Sequence, residues 1–337
     1  MSGMPDARPR VFVSRRIMPE GLDLLANEVD VDLWPEELPP DRAELLRRVG
    51  GIDGLLSMLT ERVDDELLDA AGPQLRVVSN YAVGFDNVDV GACSRRGIAV
   101  GNTPGVLTET TADCAFALLM AAARRLPEAY DYVRQDRWKT WGPLLLLGPD
   151  VHHATLGIVG FGRIGREVAK RGRGFDMQIL YHDVYPASAE DEARLGARRV
   201  SMDELLAASD FVTLHVNLTP ETRHLMNAEA FAKMKRSAVL VNASRGPVVD
   251  HSALYDALKN GVIAAAGLDV TEPEPLPGNH PLLTLPNCLV VPHIASASFQ
   301  ARGGMARIAA QNVLAGLKGQ PLPAFVNADV FQTSQAR

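Results

Sequence analysis

Fifteen residues, TLGIVGFGRIGREVA at positions 155–169, constrain the fold more than any other part of the chain. An apolar run leads into three glycines, and a helical pattern follows them directly. Gly160 permits a tight turn out of a strand, Gly162 lets a phosphate approach the backbone, and Gly165 lets the helix pack closely on the strand. This arrangement predicts a Rossmann unit that holds the pyrophosphate of a dinucleotide at residues 160–165.

The residues around this turn favour NAD as the dinucleotide. The helix start places the free amides of Arg163 and Ile164 where they can bind the pyrophosphate. A second apolar strand, predicted at residues 177–182, ends in Asp183, which lies 23 residues beyond Gly160. An acidic side chain there accepts hydrogen bonds from the ribose hydroxyls and repels a 2′-phosphate. Three glycines alone also occur in ordinary turns, so strand, helix and acid together predict NAD, with NADH preferred over NADPH.

Short β-branched runs alternate with helical patterns in two separate sets, which is typical of parallel sheets covered on both faces. The predicted strands are residues 10–14, 54–58, 75–79 and 98–100 in the first set, and 155–159, 177–182, 211–216, 238–242, 263–268 and 288–291 in the second. The first set predicts a smaller flavodoxin-like α/β domain, and the second a Rossmann-type doubly wound parallel sheet of six strands.

The length of 337 residues fits two domains. We expect a substrate domain made of residues 1–105 and 298–337, and an NAD-binding domain made of residues 106–297. A single long apolar helix from Cys114 to about Arg134 is expected to join them.

Composition is that of an ordinary globular enzyme. The chain is 47% hydrophobic and 22% charged, and its formal net charge of −7 gives no electrostatic reason to expect nucleic acid or an anionic membrane as a partner. Three widely separated cysteines have no spacing typical of a metal site or a disulfide framework, so no metal is predicted. No apolar segment has the length of a membrane span or the form of a signal peptide, so we expect a cytoplasmic protein.

Polar residues follow three predicted strands of the second set. Arg245 follows one strand, an acidic loop with Glu272 and Glu274 follows the next, and His293 follows the last. The carboxyl ends of parallel strands are where such sheets bind ligands. Taken singly, each residue could equally be a surface ion-pair partner or a structural histidine. Their shared position favours a functional set and leaves open which glutamate belongs to it.

This set suits hydride transfer to a carbonyl group. A guanidinium such as Arg245 can hold a carboxylate and polarise the adjacent carbonyl. An imidazolium such as His293 can protonate the developing alkoxide, and a neighbouring carboxylate keeps that ring protonated and oriented.

Four segments together resemble the D-isomer-specific 2-hydroxyacid dehydrogenases, and the likeness extends from about residue 10 to 327. The segments are residues 80–89, the glycine turn, residues 240–250, and residues 267–275 with 292–296. Within this family the chain most resembles the glyoxylate/hydroxypyruvate reductases, through residues 138–144 and 269–283. The resemblance implies reduction of a short 2-oxo acid, glyoxylate or hydroxypyruvate, to the D-2-hydroxy acid.

The resemblance also implies a catalytic set of Arg245, Glu274 and His293. It selects Glu274 over Glu272, because the family's glutamate stands five positions after the aspartate at the strand end, here Asp269.

Further roles follow from the resemblance alone. It implies that the backbone amides of Val83 and Gly84 bind the substrate carboxylate and that Arg302 helps to orient the substrate. Asp269 would hold the nicotinamide carboxamide. Trp141 would either reach the substrate pocket of a neighbouring subunit in a homodimer or pack within a dimer arm.

The chain departs from the family pattern at Asp183. The similar reductases typically prefer NADP and have an uncharged or basic residue at this position, and we expect the local acid to decide the preference for NAD. Two other readings stay open: a reductase of a bulkier 2-oxo acid such as 2-ketogluconate, and an NAD-sensing protein similar to a corepressor. The complete set of Arg245, Glu274 and His293 disfavours a purely binding role.

Overall fold

A computed structural model describes residues 8–330. They form two compact units: unit 1 contains the residues up to Leu107 and those from Ser298 onward, and unit 2 is Thr108–Ala297. Each unit is built on one parallel β-sheet with helices, so the predicted α/β fold class is confirmed.

The elements are numbered in chain order through both units. The strands are β1 Arg10–Val13, β2 Asp30–Leu33, β3 Gly54–Ser57, β4 Val77–Asn80, β5 Ala99–Gly101, β6 Thr155–Val159, β7 Gln178–His182, β8 Ala197–Arg199, β9 Phe211–Leu214, β10 Val239–Asn242, β11 Ala265–Leu268 and β12 Cys288–Val290. The helices are α1 Pro19–Glu28, α2 Arg42–Arg48, α3 Asp65–Ala71, α4 Val90–Arg95, α5 Thr108–Ala123, α6 Leu126–Arg134, α7 Arg163–Arg173, α8 Ala189–Leu195, α9 Met202–Ala208, α10 Ala228–Lys233, α11 His251–Lys259 and α12 Phe299–Leu317.

Unit 1 has the strand order β2-β1-β3-β4-β5, which is the flavodoxin-like order. The long C-terminal helix α12 returns to this unit and packs tightly on α1. A Cβ added to Gly21 would lie 2.5 Å from the backbone oxygen of Ala306, so only glycine allows this approach. Strand β2 was not predicted, because its sequence DVDL alternates acidic and apolar residues and none of its side chains is fully buried.

Unit 2 has the doubly wound order β12-β11-β10-β9-β6-β7-β8. Neighbouring residues of one strand point to opposite faces, and both faces are covered. In β10, Val239 and Val241 belong to the core on the side of α5 and α7, whereas Leu240 belongs to the core under α9, α10 and α11. The sheet has seven strands instead of the six predicted. The additional strand is the edge strand β8, which was not predicted because only one of its three residues is buried.

The single long helix predicted from Cys114 to Arg134 is wrong. The structure has two helices, α5 and α6, separated at Arg125, whose φ of 52° is left-handed. Pro127 lies in the first turn of α6, where its missing N–H costs nothing, and this proline was the signal for a new helix start. Among the described helices, none is both long enough and apolar enough to cross a membrane.

Candidate active site

The glycine turn between β6 and α7 has the close contacts that glycine alone permits. Gly160 has a φ of 90°, and a Cβ there would lie 2.6 Å from the carbonyl group of His215, just after β9. A Cβ on Gly165 would lie 2.2 Å from the backbone oxygen of Gly160, so the helix rests directly on the turn. The first and third glycines are therefore required by the packing of the protein itself.

The second glycine has a different reason to be there. A Cβ on Gly162 would touch no atom of the described chain within 4 Å, so the fold does not demand glycine at this position. Gly162 is also the N-cap of α7 and provides no side-chain cap for the amides of the first turn, which include those of Arg163 and Ile164. Open access to uncapped amides at a helix N-terminus suits a phosphate group, so these residues fit a dinucleotide.

Asp183 stands at the end of β7 beside this turn. One carboxylate oxygen accepts a hydrogen bond from the amide of Phe161 at 2.7 Å, and the other accepts one from the amide of Tyr185 at 2.9 Å. The Phe161 ring stacks on Tyr181 with 4.1 Å between the ring centroids, which holds the turn against β7. Each oxygen of Asp183 keeps lone pairs for further donors, such as the hydroxyls of a ribose.

Arg245 follows β10 and is held by the backbone around it. Its carbonyl oxygen accepts a hydrogen bond from Asn242 Nδ2 at 2.9 Å, and its Nη1 donates to the carbonyl oxygen of Ser244 at 2.9 Å. A Cβ on Gly246 would lie 1.9 Å from the carbonyl oxygen of Thr271. The segment with Arg245 therefore lies in direct contact with the loop that follows β11.

That loop brings Glu274, and not Glu272, to His293. The Oε1 atom of Glu274 lies 2.5 Å from Nδ1 of His293, and its Oε2 accepts a hydrogen bond from the amide of Thr271 at 3.1 Å. Glu272 instead pairs with Arg223 at 2.7 Å. The sequence alone had left this choice open.

The pKa of Glu274 reflects its contact with His293. Burial would raise the pKa of Glu274, but the hydrogen bond to His293, the charge of its ring, the amide of Thr271 and the charge of Arg245 together outweigh burial and hold the pKa below its ordinary value. The side chains of His293 and Glu274 are 24% and 33% exposed, so a small molecule can reach them. A carboxylate at Nδ1 stabilises the protonated imidazole and leaves Nε2 to face a substrate.

Asp269 connects the end of β11 to the segment that carries His293. Its carboxylate accepts hydrogen bonds from the amides of Ile294 at 2.7 Å and Ala295 at 3.1 Å, and its carbonyl oxygen accepts one from the amide of His293 at 2.8 Å. His293 has a φ of 53°, which is uncommon for a residue other than glycine. Burial raises the pKa of Asp269, and the two amide donors oppose that effect. The sequence did not predict that the carboxylate of Asp269 binds these two amides and so positions the segment with His293.

In unit 1 the turn after β4 contains Val83 and Gly84. Their carbonyl oxygens accept hydrogen bonds from Asn102 Nδ2 at 2.8 Å and Asn80 Nδ2 at 2.9 Å, while their amides donate to no other group of the described residues. Fixed carbonyls with available amides are what an anion-binding turn requires.

Arg302 lies on α12 near the same turn of unit 1. Its carbonyl oxygen accepts a hydrogen bond from the Tyr81 hydroxyl at 2.7 Å, and Tyr81 stands two residues before Val83. Burial raises the pKa of Tyr81, so its hydroxyl stays a donor. The contact fixes the distance between α12 and the turn, and sequence reasoning had not singled out Tyr81.

Trp141 is a largely exposed residue of unit 2. It belongs to the irregular segment after α6, and 79% of its surface is exposed. Within residues 8–330, no group of three or more His, Cys, Asp and Glu side chains is arranged to hold a metal ion.

Comparison with known proteins identifies the family of this chain. Residues 116–295 match the family model described as D-isomer specific 2-hydroxyacid dehydrogenase, NAD binding domain, which covers more than half of the chain. The chain belongs to this family. It is therefore an oxidoreductase, and the resemblance seen in the sequence is confirmed.

Individual relatives match this dehydrogenase over nearly its whole length. The glyoxylate reductase of Korarchaeum cryptofilum is 53% identical over 327 residues, which cover 96% of this chain and 98% of that protein. The human glyoxylate reductase/hydroxypyruvate reductase is 48% identical and covers 93% of this chain and 96% of its own. A crystal structure of an NADPH-dependent glyoxylate/hydroxypyruvate reductase from Sinorhizobium meliloti, in complex with NADP and malonate, has a TM-score of 0.82 at 34% identity and covers 95% and 97% of the two chains.

Proposed function

We propose that this dehydrogenase reduces glyoxylate and hydroxypyruvate with NADH, giving glycolate and the D-2-hydroxy acid. The observation that carries the proposal is the Glu274–His293 pair at 2.5 Å, with the Arg245 segment packed against the same loop. Relatives that are 48% and 53% identical are named for these two reactions.

The three side chains divide the work of one reduction. Bound NADH supplies the hydride that C2 of the oxo acid receives. Arg245 holds the substrate carboxylate and polarises the neighbouring carbonyl oxygen, on which negative charge develops. His293 donates a proton from Nε2 to that oxygen, so the carbonyl becomes a hydroxyl, and Glu274 stabilises the protonated ring before the transfer. Val83, Gly84 and Arg302 stay predictions as further substrate-binding residues, and Asp269 stays one for the carboxamide.

Initial rates of NADH and NADPH oxidation test this proposal. We would compare glyoxylate, hydroxypyruvate, pyruvate and 2-ketogluconate as acceptors at equal concentrations. The proposal expects the highest kcat/KM with glyoxylate or hydroxypyruvate and NADH. A clear preference for 2-ketogluconate would contradict the proposed substrate, and tight NADH binding without turnover of any acceptor would favour the sensor reading.

The preference for NADH is argued from Asp183. Each oxygen of its carboxylate accepts one hydrogen bond, from the amide of Phe161 or of Tyr185. We assign the remaining lone pairs to the ribose hydroxyls, so that a 2′-phosphate would meet a negative charge. The Sinorhizobium meliloti relative is named as NADPH-dependent, so the family does not decide the cofactor.

Replacing Asp183 by Ser should weaken this discrimination. We expect kcat/KM with NADPH to rise relative to NADH by about ten- to a hundredfold, because one charge repulsion and one or two charge-assisted hydrogen bonds change together. Initial rates at constant ionic strength measure the ratio. Asp203 is an exposed acid paired with Lys233, so Asp203→Ala serves as the control and should leave the ratio unchanged. An unchanged ratio in Asp183→Ser would show that Asp183 does not determine the cofactor preference.

We also propose that the dehydrogenase is a homodimer formed through residues 126–147. Apolar side chains are exposed along this segment at Leu126, Tyr130, Val133, Trp138, Trp141, Leu144 and Leu147. Leu126, Tyr130 and Val133 follow at helical spacing on one face of α6. A group of exposed apolar side chains of this kind is typical of a protein interface.

Charged residues on that face should separate the subunits. We expect the double variant Leu126→Glu, Val133→Glu to sediment as a monomer at concentrations where the wild type sediments as a dimer, because two carboxylates would be desolvated in each copy of the interface. Leu38→Glu, at a 76% exposed leucine in unit 1, is the matched control and should stay dimeric. A wild type that is monomeric at micromolar concentration would overturn the proposed interface.

A further inference from the structure

A second histidine, His251, lies under the loop that carries Glu274. It is the first residue of α11 and only 8% exposed. Its Nδ1 lies 3.0 Å from the carbonyl oxygen of Glu272 and 3.3 Å from the amide of the same residue. The carboxylate of Asp250 caps the helix by accepting hydrogen bonds from Ser252 and Ala253, which fixes the first turn and with it the position of the ring.

The surroundings of the ring select one protonation state. The Nε2 atom of His251 is buried and has no hydrogen-bond partner among the described residues. A proton on Nε2 would therefore place an unpaired N–H in the interior, which costs about 1–3 kcal/mol. A proton on Nδ1 is instead donated to the carbonyl oxygen of Glu272 over the shorter of the two distances. The ring thus acts as a neutral donor to the loop backbone.

The charged groups around the ring agree with this assignment. Burial lowers the pKa of His251, and so does the nearby ring of His280, whose centroid is 6.1 Å away. The carbonyl of Glu272 and the carboxylates of Glu272 and Asp250 act in the opposite direction and do not outweigh burial.

The other contacts hold the loop at the side chain of Glu272 and at Thr271, but not at the backbone of Glu272. The carboxylate of Glu272 is held by Arg223 at 2.7 Å and by His224 at 3.3 Å. On the other side of the loop, Thr271 donates its amide to Glu274 and its hydroxyl to the carbonyl oxygen of Pro273 at 2.8 Å. His251 is the described side chain that bonds the backbone at Glu272, two residues before the carboxylate that meets His293.

We propose that His251 is a positioning residue: by holding the backbone of Glu272, it keeps the carboxylate of Glu274 at Nδ1 of His293. This inference rests on the roles proposed above for Glu274 and His293. When the ring is removed, the loop can shift, and a shift of about 1 Å lengthens a hydrogen bond of 2.5 Å beyond the range in which it is strong.

The test compares His251→Ala with His251→Asn in the full-length enzyme, by glyoxylate reduction over a range of pH. Side chains that orient the ligands of a metal typically contribute about ten- to a hundredfold to activity, and by analogy we expect His251→Ala to lower kcat by about tenfold. The pH at which the rate falls on the alkaline side should also move down, since the protonated His293 would lose its carboxylate. Binding of NADH, followed by fluorescence, should stay unchanged. The amide of Asn can donate to the same carbonyl, so His251→Asn should recover most of both effects.

Two further variants separate the possible outcomes. His224→Ala removes a contact with the side chain of Glu272 but none with its backbone, and it should leave the alkaline midpoint unchanged. In an enzyme that already has Glu274→Ala, which removes the carboxylate altogether, adding His251→Ala should lower kcat no further, because both changes remove one interaction. A lower kcat with an unmoved alkaline midpoint, or additive losses in the double variant, would overturn the proposal for His251. If Glu274→Gln alone changes neither rate nor midpoint, it is the role proposed for Glu274 that fails.

Discussion

Arg245→Ala is expected to lower kcat/KM for glyoxylate by about a thousandfold or more while NADH affinity stays nearly unchanged. Loss of one preorganised donor to a developing oxyanion typically costs a hundred- to a thousandfold in rate. Here the same guanidinium is assigned a second task, the substrate carboxylate, so the loss should appear in both kcat and KM. The dinucleotide is assigned to the glycine turn after β6, and its binding should not depend on this side chain.

Two variants give this experiment its controls. Arg245→Lys keeps the charge but loses the planar fork that can hold a carboxylate and a carbonyl oxygen together, so it should recover only part of the lost activity. Arg236→Ala removes an exposed guanidinium bonded to the carbonyl oxygen of Gly261 and should leave turnover unchanged. Turnover at the wild-type rate in Arg245→Ala would show that the assigned role is wrong. A parallel loss of NADH binding would show that Arg245 acts on the cofactor.

The fold could be predicted where local chemistry and sheet position agree. Strands buried on both faces, such as β6 and β10, appear in the sequence as continuous apolar runs. The edge strands β2 and β8 were missed because an edge needs only a partly apolar sequence and is recognised by the neighbour it pairs with, β1 or β7. Pairing partners are distant in sequence, so no local pattern reports them.

The break between α5 and α6 was missed for a different reason. Arg124 and Arg125 interrupt the apolar run, but apolar residues resume at helical spacing from Leu126, so the pattern resembles one helix although the backbone of Arg125 turns into the left-handed region. Pro127 indicated a new helix start, because proline is tolerated in the first turn of a helix and disrupts a helix when it lies in the interior. Giving that proline more weight than the apolar pattern would have produced two helices.

For the site, the sequence predicted residue types and the structure supplied their contacts. Three strand ends predicted Arg245, an acid and His293, but the spacing alone could not choose between Glu272 and Glu274. The choice depends on which carboxylate faces His293 and which one faces Arg223, and these contacts join residues that are 19 and 49 positions apart. The tie from Asp269 to the amides after His293 was equally hidden, because hydrogen bonds to backbone have no sequence pattern at this distance.

His293→Gln is expected to lower kcat for glyoxylate reduction by about a hundred- to ten-thousandfold, the usual contribution of a positioned acid. Glutamine keeps a polar side chain of similar reach, yet its amide protons are far too weakly acidic to be transferred to the oxygen. The wild-type rate should fall at alkaline pH as His293 loses its proton, and this fall should be absent from the residual rate of the variant. A variant that keeps both the wild-type rate and the alkaline fall would assign the proton to another group.

Glu274→Gln completes the argument for His293. The pKa of Glu274 in the folded protein is below its ordinary value of 4.5. The ionised carboxylate therefore stabilises the fold fully at pH values above 4.5, and this contribution is lost as the pH falls through the lowered pKa. The carboxylate of Glu274 is therefore ionised throughout the neutral range, so a fall on the alkaline side of the profile does not come from Glu274. Since a neutral amide stabilises an imidazolium less than a carboxylate does, Glu274→Gln should move the alkaline fall to lower pH with a smaller loss of kcat than His293→Gln. An alkaline fall at the wild-type pH in Glu274→Gln would mean that the hydrogen bond at 2.5 Å orients the ring without holding its charge.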